Sequence, residues 1–346
     1  MRSDSASLFC GYMDRQMKNL RAALPQVFQQ WDVDAIHDAR VATRRLKAAT
    51  DVFREMVSAE SAPAFRKVLR KLRRRLGPLR DADVMLMHLD DPGFGQGHGE
   101  ACQWLRHRLV EQRDELRRQT AAKASAAEWL DRLDSWRSLR DELAKAEVDW
   151  SATLASMLRR RWADFRARAE QLATALDRGS SDGSEGAHGL RIAGKLLRYT
   201  LEMAGEIGLD VPQKLLRTFK GFQDALGLWH DFVVLSQRVA GEAAEETVAL
   251  AAPRVYQELL ALAQAAWARS RVELRQFVRL WREKGLAVGG RIEAIAASVC
   301  AAPAAEAGMS AKLREEQLQR EVHDETLPGA TRGGGESAGG GRTPAH

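Results

Sequence analysis

Apolar residues recur along this chain at steps of three and four rather than in alternation, a spacing that predicts helices almost from end to end. Over residues 5–24, Leu8, Tyr12, Gln16 and Leu20 mark one stripe, and Pro25 ends or kinks that helix before Val27, Phe28 and Trp31. Asp34 is a candidate N-cap for the next helix, which carries His37. After a break at Ser61-Ala62-Pro63, where proline suits a helix start, residues 65–76 form a densely basic helix, followed by Gly77, Pro78, Arg80, Asp81 and Asp83. Residues 91–99, DPGFGQGHG, read as a loop. Residues 100–148 and 150–177 read as long amphipathic helices with Trp104, Leu105, Leu109, Leu116, Trp129, Leu133 and Trp136 on the apolar side and a solvated face of mixed charge. The segment GSSDGSEGA at 179–187 reads as a flexible linker and the best internal boundary. Beyond it the spacing predicts helices at 188–207, at 211–226, after Asp231, over 245–284 with a kink at Pro253, and over 286–300. The fold class is therefore all-α, with one helical domain over residues 1–300 in two halves, about 5–178 and 187–300. From Ala301 the composition turns to Ala, Glu and Gly, with seven glycines in 328–346, which predicts a disordered tail over 301–346.

Charge follows a pattern of its own on this helical frame. His37, Arg40, Arg44 and Lys47 lie at steps of 3, 7 and 10, which at about 100° per residue places them within roughly 80° of one another on one helix face. The same steps recur in His188, Arg191, Lys195 and Arg198, with Val41-Ala42 repeated as Ile192-Ala193 and Leu46 as Leu197. With a shift of 150, Lys67 aligns with Arg217, Arg70 with Lys220, Leu76-Gly77 with Leu226-Gly227 and Asp81 with Asp231. A repeat that keeps charges as well as apolar positions points to two related halves, each with a basic helix pair, and its period is too long for a solenoid. Gln223 and Asp224 stand where the first copy has Arg73 and Arg74, so the halves contribute unequally.

Composition narrows the class. The 346 residues, 45% of them hydrophobic, suffice for one large core or two coupled ones. The net charge is +6, and residues 301–346 carry five basic and seven acidic side chains, which leaves +8 on residues 1–300. Cys10, Cys102 and Cys300 give neither a disulfide framework nor a zinc pattern, which fits a reducing cytoplasm. The first residues do not resemble a secretory signal and no run of 18 apolar residues occurs, so the expectation is a soluble chain without a membrane anchor. Of the nine tryptophans most fall at apolar helical positions and read as core; Trp229, beside Gly227, lies near the basic stripes.

Arginine stripes on helices are ordinarily solvated surface, and residues 66–75 alone would be read that way. Scattered surface charge has no reason to reappear in register beside a histidine, so Arg40, Arg44, Lys47, Arg70, Arg191, Lys195, Arg198 and Lys220 are assigned to anion binding. Guanidinium forks match phosphate oxygens bidentately and lysine acts as a point charge. A lone histidine usually donates to a backbone carbonyl in a core; His37 and His188 each open a cationic stripe and are assigned to the same anion. Asp81 and Asp231 would face a polyanion unproductively and read as helix N-caps or as anchors for nearby arginines. His98 and His107 have no repeat counterpart and read as surface.

The segments HDARVATRRLK, LRRRLGPLRDADV, HGLRIAGKLLRYTLE and FQDALGLWHD resemble the CHAD family, the conserved-histidine α-helical domain, over about residues 5–300. The resemblance implies two pseudo-symmetric antiparallel helical bundles from an internal duplication, binding inorganic polyphosphate through a basic central channel. The residues carried over are His37, Arg40, Arg44, Lys47, Lys67, Arg70, Arg74, His188, Arg191, Lys195, Arg198, Arg217 and Lys220, with Asp81 and Asp231 in support. It further implies a binder without cofactor, metal or catalysis, cytoplasmic and associated with polyphosphate granules, with polyphosphate-metabolising enzymes as partners. Two other classes compete. A metal-dependent phosphohydrolase could use His37, His188 and the His230-Asp231 pair, but arginine and lysine around those histidines would repel a divalent ion, and no P-loop or GxSxG is present. A basic helical nucleic-acid binder is the runner-up, opposed by little aromatic interleaving and the lack of a groove-reading motif.

Overall fold

The computed structural model describes residues 2–54, 61–95, 97–179 and 183–299, and these form helices and turns with no strand among them. The helices are α1 (Arg2–Gln30), α2 (Val33–Arg54), α3 (Ala62–Leu89), α4 (Pro92–Gly95), α5 (Gly99–Ala121), α6 (Ala126–Arg132), α7 (Trp136–Ala144), α8 (Trp150–Asp177), α9 (Gly183–Glu206), α10 (Gln213–Ala243), α11 (Glu246–Ala251) and α12 (Pro253–Ala297). A 3-10 turn, Leu133–Ser135, joins α6 to α7.

Punctuation differs from the sequence reading in several places, each for a local reason. Pro25 lies inside α1, which ends instead at Gln30, just before Trp31, whose φ of 54° takes the backbone into the left-handed region. Asp32 rather than Asp34 then caps α2, its carboxylate accepting from the Ala35 N–H at 2.7 Å. Gly77 and Pro78 lie within α3, which does not stop at residue 76. Leu76 and Leu79 on either side are fully buried and hold the helix through the proline. Likewise α10 continues past Gly227 and Asp231 without a new helix start. The stretch 100–148 is broken after Ala121, where Ser125 and Glu128 form a reciprocal capping box, Glu128 N–H to Ser125 Oγ at 3.2 Å and Ser125 N–H to Glu128 Oε2 at 2.6 Å. Residues 91–99 contain the short helix α4. Pro253 opens α12 rather than kinking it, and residues 286–297 are its continuation. Helix α9 begins at Gly183, inside the segment read as a linker. The expected disorder over 301–346, and Cys300, fall outside the described residues.

Three apolar clusters hold the helices together. The first joins α1, α2, the N-terminal part of α3, α6, α7, the start of α8 and the end of α9 with Tyr199, Met203 and Ile207, and has Phe9 stacked on Trp150 at 4.3 Å between ring centroids. The second joins the rest of α8 to α9, the first half of α10 and the second half of α12, around Trp162, Phe165, Phe222, Phe277 and Trp281. The third lies where the C-terminal ends of α3 and α10 meet α5 and the first half of α12. Helix α8 thus serves two clusters, giving Trp150, Leu154 and Met157 to the first and Leu158, Trp162 and Phe165 to the second.

Helix α12 passes close to α8 at Gly289, where an added Cβ would lie 2.5 Å from Cζ2 of the buried Trp162. That ring is packed against Trp281 at 5.7 Å and cannot swing aside cheaply. Gly289→Ala is therefore expected to destabilise by about 1–3 kcal/mol through overpacking. Gly290→Ala, with open space at its Cβ, should instead gain about 0.5–1 kcal/mol from helix propensity. Thermal or urea denaturation of the two variants separates these outcomes, and equal shifts would mean that α8 and α12 are further apart.

Candidate anion-binding site

Helix α2 buries Ile36, Ala39, Leu46 and Phe53 in the first cluster and carries His37, Arg40, Arg44 and Lys47 along its flank. Helix α9 does the same with Leu190, Ala193, Leu197 and Leu201 buried and His188, Arg191, Lys195 and Arg198 half-buried beside them. In both helices the stripe follows from the sequence spacing, because the core face and the basic face are offset around the same cylinder.

The N-terminal part of the first stripe reaches α3. Arg40 Nη1 donates to the Arg73 carbonyl at 3.0 Å and passes over Gly77, whose absent Cβ would stand 3.2 Å from that nitrogen. Gly77 therefore serves close approach of a side chain rather than a turn. One turn further along α3 is Asp81, reached by solvent yet crowded by protein. Burial pushes its carboxyl up; Arg40 and Arg44 from α2 and Arg191 from α9 act against that, and Asp231 of α10 adds to it. Asp231 Oδ2 in turn lies 3.8 Å from Nε2 of buried His88, whose ring packs on Phe232 at 4.6 Å. His188 and His230 face each other with ring centroids 5.5 Å apart. The His37 imidazole is held below its usual range by burial, Arg80 and Arg44, with Asp38 and Asp34 opposing.

Asp81 and Asp231 lie inside α3 and α10, so neither is an N-cap; of the two roles read from the sequence, proximity to arginines is the one compatible with their positions. Arg80 and His88 were missing from the sequence-derived set, and His230 figured there only as a metal ligand. A signal existed for two of them, since Arg80 and His230 occupy the same register under the shift of 150. His88 falls in register with Arg238, so the repeat could not have singled it out.

The C-terminal parts of the stripes are neutralised locally. Lys47 pairs with Asp51 at 3.2 Å, an acid that also holds Arg66 at 2.7 Å. Arg198 pairs with Glu202 at 2.8 Å, and Glu202 also accepts from Arg45 of α2 at 2.8 Å, tying α2 to α9. Arg198 further donates to Gln223 at 3.1 Å, and Gln223 donates to the Gly194 carbonyl at 2.9 Å. The glutamine that replaces an arginine in the second copy thus braces α9 against α10. On α3, Lys67, Arg70 and Arg74 are exposed; on α10, Arg217 is exposed and Lys220 pairs with Asp224 at 2.6 Å. Arg44, Lys67, Arg70 and Arg217 form no ion pair with a described residue. Among the described residues no group of three or more His, Cys, Asp or Glu is arranged to hold a metal ion, and no helix is long and apolar enough to cross a membrane.

The fold has relatives among solved structures. The crystal structure of the CHAD domain from the plant Ricinus communis matches with a TM-score of 0.57 at 19% identity, over 85% of this chain and 92% of that one. PptA from Streptomyces chartreusis matches with a TM-score of 0.59 at 18% identity, over 80% of this chain and 99% of that one. At such identities both likenesses establish the fold. No curated protein matches the sequence. The CHAD domain family model matches residues 11–240, a span that runs from α1 into the last turns of α10 and contains both basic stripes, and the chain accordingly belongs to the CHAD domain family.

Proposed function

We propose that this protein binds inorganic polyphosphate in the cationic site bordered by α2, α3, α9 and α10, and does not cleave it. The observation that carries this reading is the pair of basic stripes on α2 and α9, His37, Arg40, Arg44 and Lys47 matched by His188, Arg191, Lys195 and Arg198, on two helices tied together where Glu202 accepts from both Arg45 and Arg198. A linear chain with one negative charge per internal phosphate can engage both stripes and collect the outlying cations of α3 and α10 at once, which multiplies weak contacts into tight binding. The chain is read as two copies of a five-helix unit, α1 to α5 and α8 to α12, with α6 and α7 inserted between them. Helix α8 packs on α9 as α1 packs on α2, which supports reading a duplication. The binding domain is taken to end near residue 300, and its place in the cell is at polyphosphate granules in the cytoplasm, beside enzymes that make or consume the polymer.

Calorimetric titration with long-chain polyphosphate, orthophosphate and duplex DNA at one ionic strength tests the proposal. Tight binding of the long chain alone is expected; DNA binding of equal or greater strength would replace it with a nucleic-acid function. Polyphosphate incubated with the protein and magnesium or manganese should keep its length distribution. A ladder of shorter products lost in His230→Ala/Asp231→Ala would establish hydrolysis.

Affinity should rise as pH falls. A polyanion opposes the effect of burial and of Arg80 and Arg44 on His37, raising its pKa in the complex. Binding then takes up a proton, and affinity grows from the bound-state pKa down to the depressed free-state one, below the usual histidine value of about 6.5. The double variant His37→Gln/His188→Gln should flatten the profile between about pH 5 and 7. An unaltered profile would remove the histidines from the site and leave the arginines in it.

A further inference from the structure

Helices α1 and α2 leave a cavity of about 440 Å³ beside the turn that joins them. It is lined by Gln16, Asn19 and Gln26 of α1, by Asp32 of the turn and by Asp34, Asp38 and Arg45 of α2, with Val41 and alanines of both helices between them. On α2 the lining positions Asp38, Val41, Ala42 and Arg45 follow Asp34 at steps of 4, 7, 8 and 11. Those steps keep them on one face, about 120° around the helix from the stripe that begins at His37. The cavity therefore belongs to a flank of α2 that the basic stripe does not use, and its charge is opposite. Arg45 is engaged by Glu202, donating from Nε at 2.8 Å and from Nη2 at 3.3 Å. The Asp34 and Asp38 side chains are exposed and form no hydrogen bond or ion pair with a described residue. One oxygen of Asp32 caps α2 at Ala35, and the helix dipole favours an acid at Asp34, but that effect fades within the first turn and does not account for Asp38. Gln16 is the buried polar member of the lining, only 8% exposed, and its Oε1 has no hydrogen-bond partner. A buried acceptor left unpaired costs the folded state, and a donor entering from the cavity offsets that cost.

The lining sets the chemistry of a ligand. It must donate hydrogen bonds, carry positive charge, and present apolar stretches to Val41 and the alanines. The amides of α1 are spread from Gln16 to Gln26, a rise of about 15 Å along the helix, so a single point charge cannot meet them. A metal ion does not suit the acids either, because among the described residues no three His, Cys, Asp or Glu side chains are arranged to hold one. A linear aliphatic polyamine answers each requirement, with ammonium groups for the carboxylates and methylenes for the apolar wall, and the cavity has the size of ordinary small-molecule sites. We propose that the cavity between α1 and α2 binds a linear aliphatic polyamine, with Asp34 and Asp38 holding its ammonium groups and Gln16 Oε1 accepting from the end that enters deepest. This site does not depend on the polyphosphate reading, since it uses another face of α2 and the opposite charge.

Calorimetric titration of the full chain with spermidine, without polyphosphate, tests the proposal, and magnesium is titrated beside it at the same ionic strength. Saturable one-to-one binding of spermidine is expected, with magnesium weaker by about tenfold or more, since that ion wants a compact octahedron of oxygens. Asp34→Asn/Asp38→Asn should weaken spermidine by about tenfold or more. Gln16→Leu, which keeps the bulk and removes the acceptor, should weaken it by about fivefold. Its Tm without ligand should hold or rise, because an unpaired buried acceptor is gone. Gln16→Met carries the same comparison should the leucine variant not fold. Magnesium as tight as spermidine, or a loss in the aspartate variant with none in the glutamine variant, would put the cation on a diffuse acidic surface and overturn the proposal. No binding of spermidine, or binding that neither variant moves, overturns it as well.

Discussion

Alanine at both Arg44 and Arg191 is expected to weaken polyphosphate binding by two orders of magnitude or more while leaving the helical content intact. The two side chains come from different helices, α2 and α9, one from each basic stripe. Arg44 forms no ion pair with a described residue, so little internal bonding is lost with it. Hydrogen bonds to charged groups contribute about 1.5–3 kcal/mol each, and two of them correspond to roughly 10² to 10⁴ in affinity. Each single variant should also flatten the salt dependence, because each removes a cation that displaces counterions from the polymer, as for nucleic acids. Titration at two salt concentrations, with circular dichroism as the control for folding, reads both effects. Loss confined to Arg44→Ala would mean that the second copy has become structural.

Trp150→Ala should produce the largest loss of stability, about 3–5 kcal/mol, against a total of about 5–15 kcal/mol for a typical domain. Trp150 is fully buried, stacked on Phe9 at 4.3 Å and near Phe53 at 6.2 Å, at the point where α8 leaves the first cluster. Its indole nitrogen finds no hydrogen-bond partner. Trp150→Phe keeps the stack and deletes that buried donor, so it should cost less than about 1.5 kcal/mol. Denaturant titration compares the two variants; similar losses would show that the stack is not what holds α8 in place.

Helix existence and the two basic stripes were legible because both depend on periodicity, and a charge pattern repeated at fixed steps survives whatever the tertiary packing does. Helix ends were less legible. Pro78 alone in a helix interior costs about 3 kcal/mol, and only the burial of Leu76 and Leu79 around it makes the continuous α3 affordable. Proline as a stop signal was thus overridden by packing at Pro25 and Pro78, whereas the capping box at Ser125 and Glu128 was written in the sequence and lay unread inside a long amphipathic pattern. In the site, the stripes were foreseen and their division was not. Whether Lys47 stands beside Asp51 on the same face follows from helical spacing, but that Glu202 would reach Arg45 on another helix depends on how α2 and α9 cross. His88 was invisible for the same reason, since only the meeting of α3 with α10 gives it Asp231 as a neighbour.

Helix α12, 45 residues and about 68 Å long, imposes an order on synthesis. The buried residues of the first cluster are all present once Ile207 has left the ribosome, and only Leu209, just beyond, adds to them among the described residues. The second and third clusters wait for Leu259 to Ile295. At about 5–20 residues per second, several seconds pass in which the nascent chain is an N-terminal body closed by the end of α9 and trailing α10, with Phe219, Phe222 and Phe232 still lacking their cover from α12. Translation pauses before residue 259 would lengthen that interval, making this stretch of the message the place where ribosome speed and chaperone access govern the yield of folded protein.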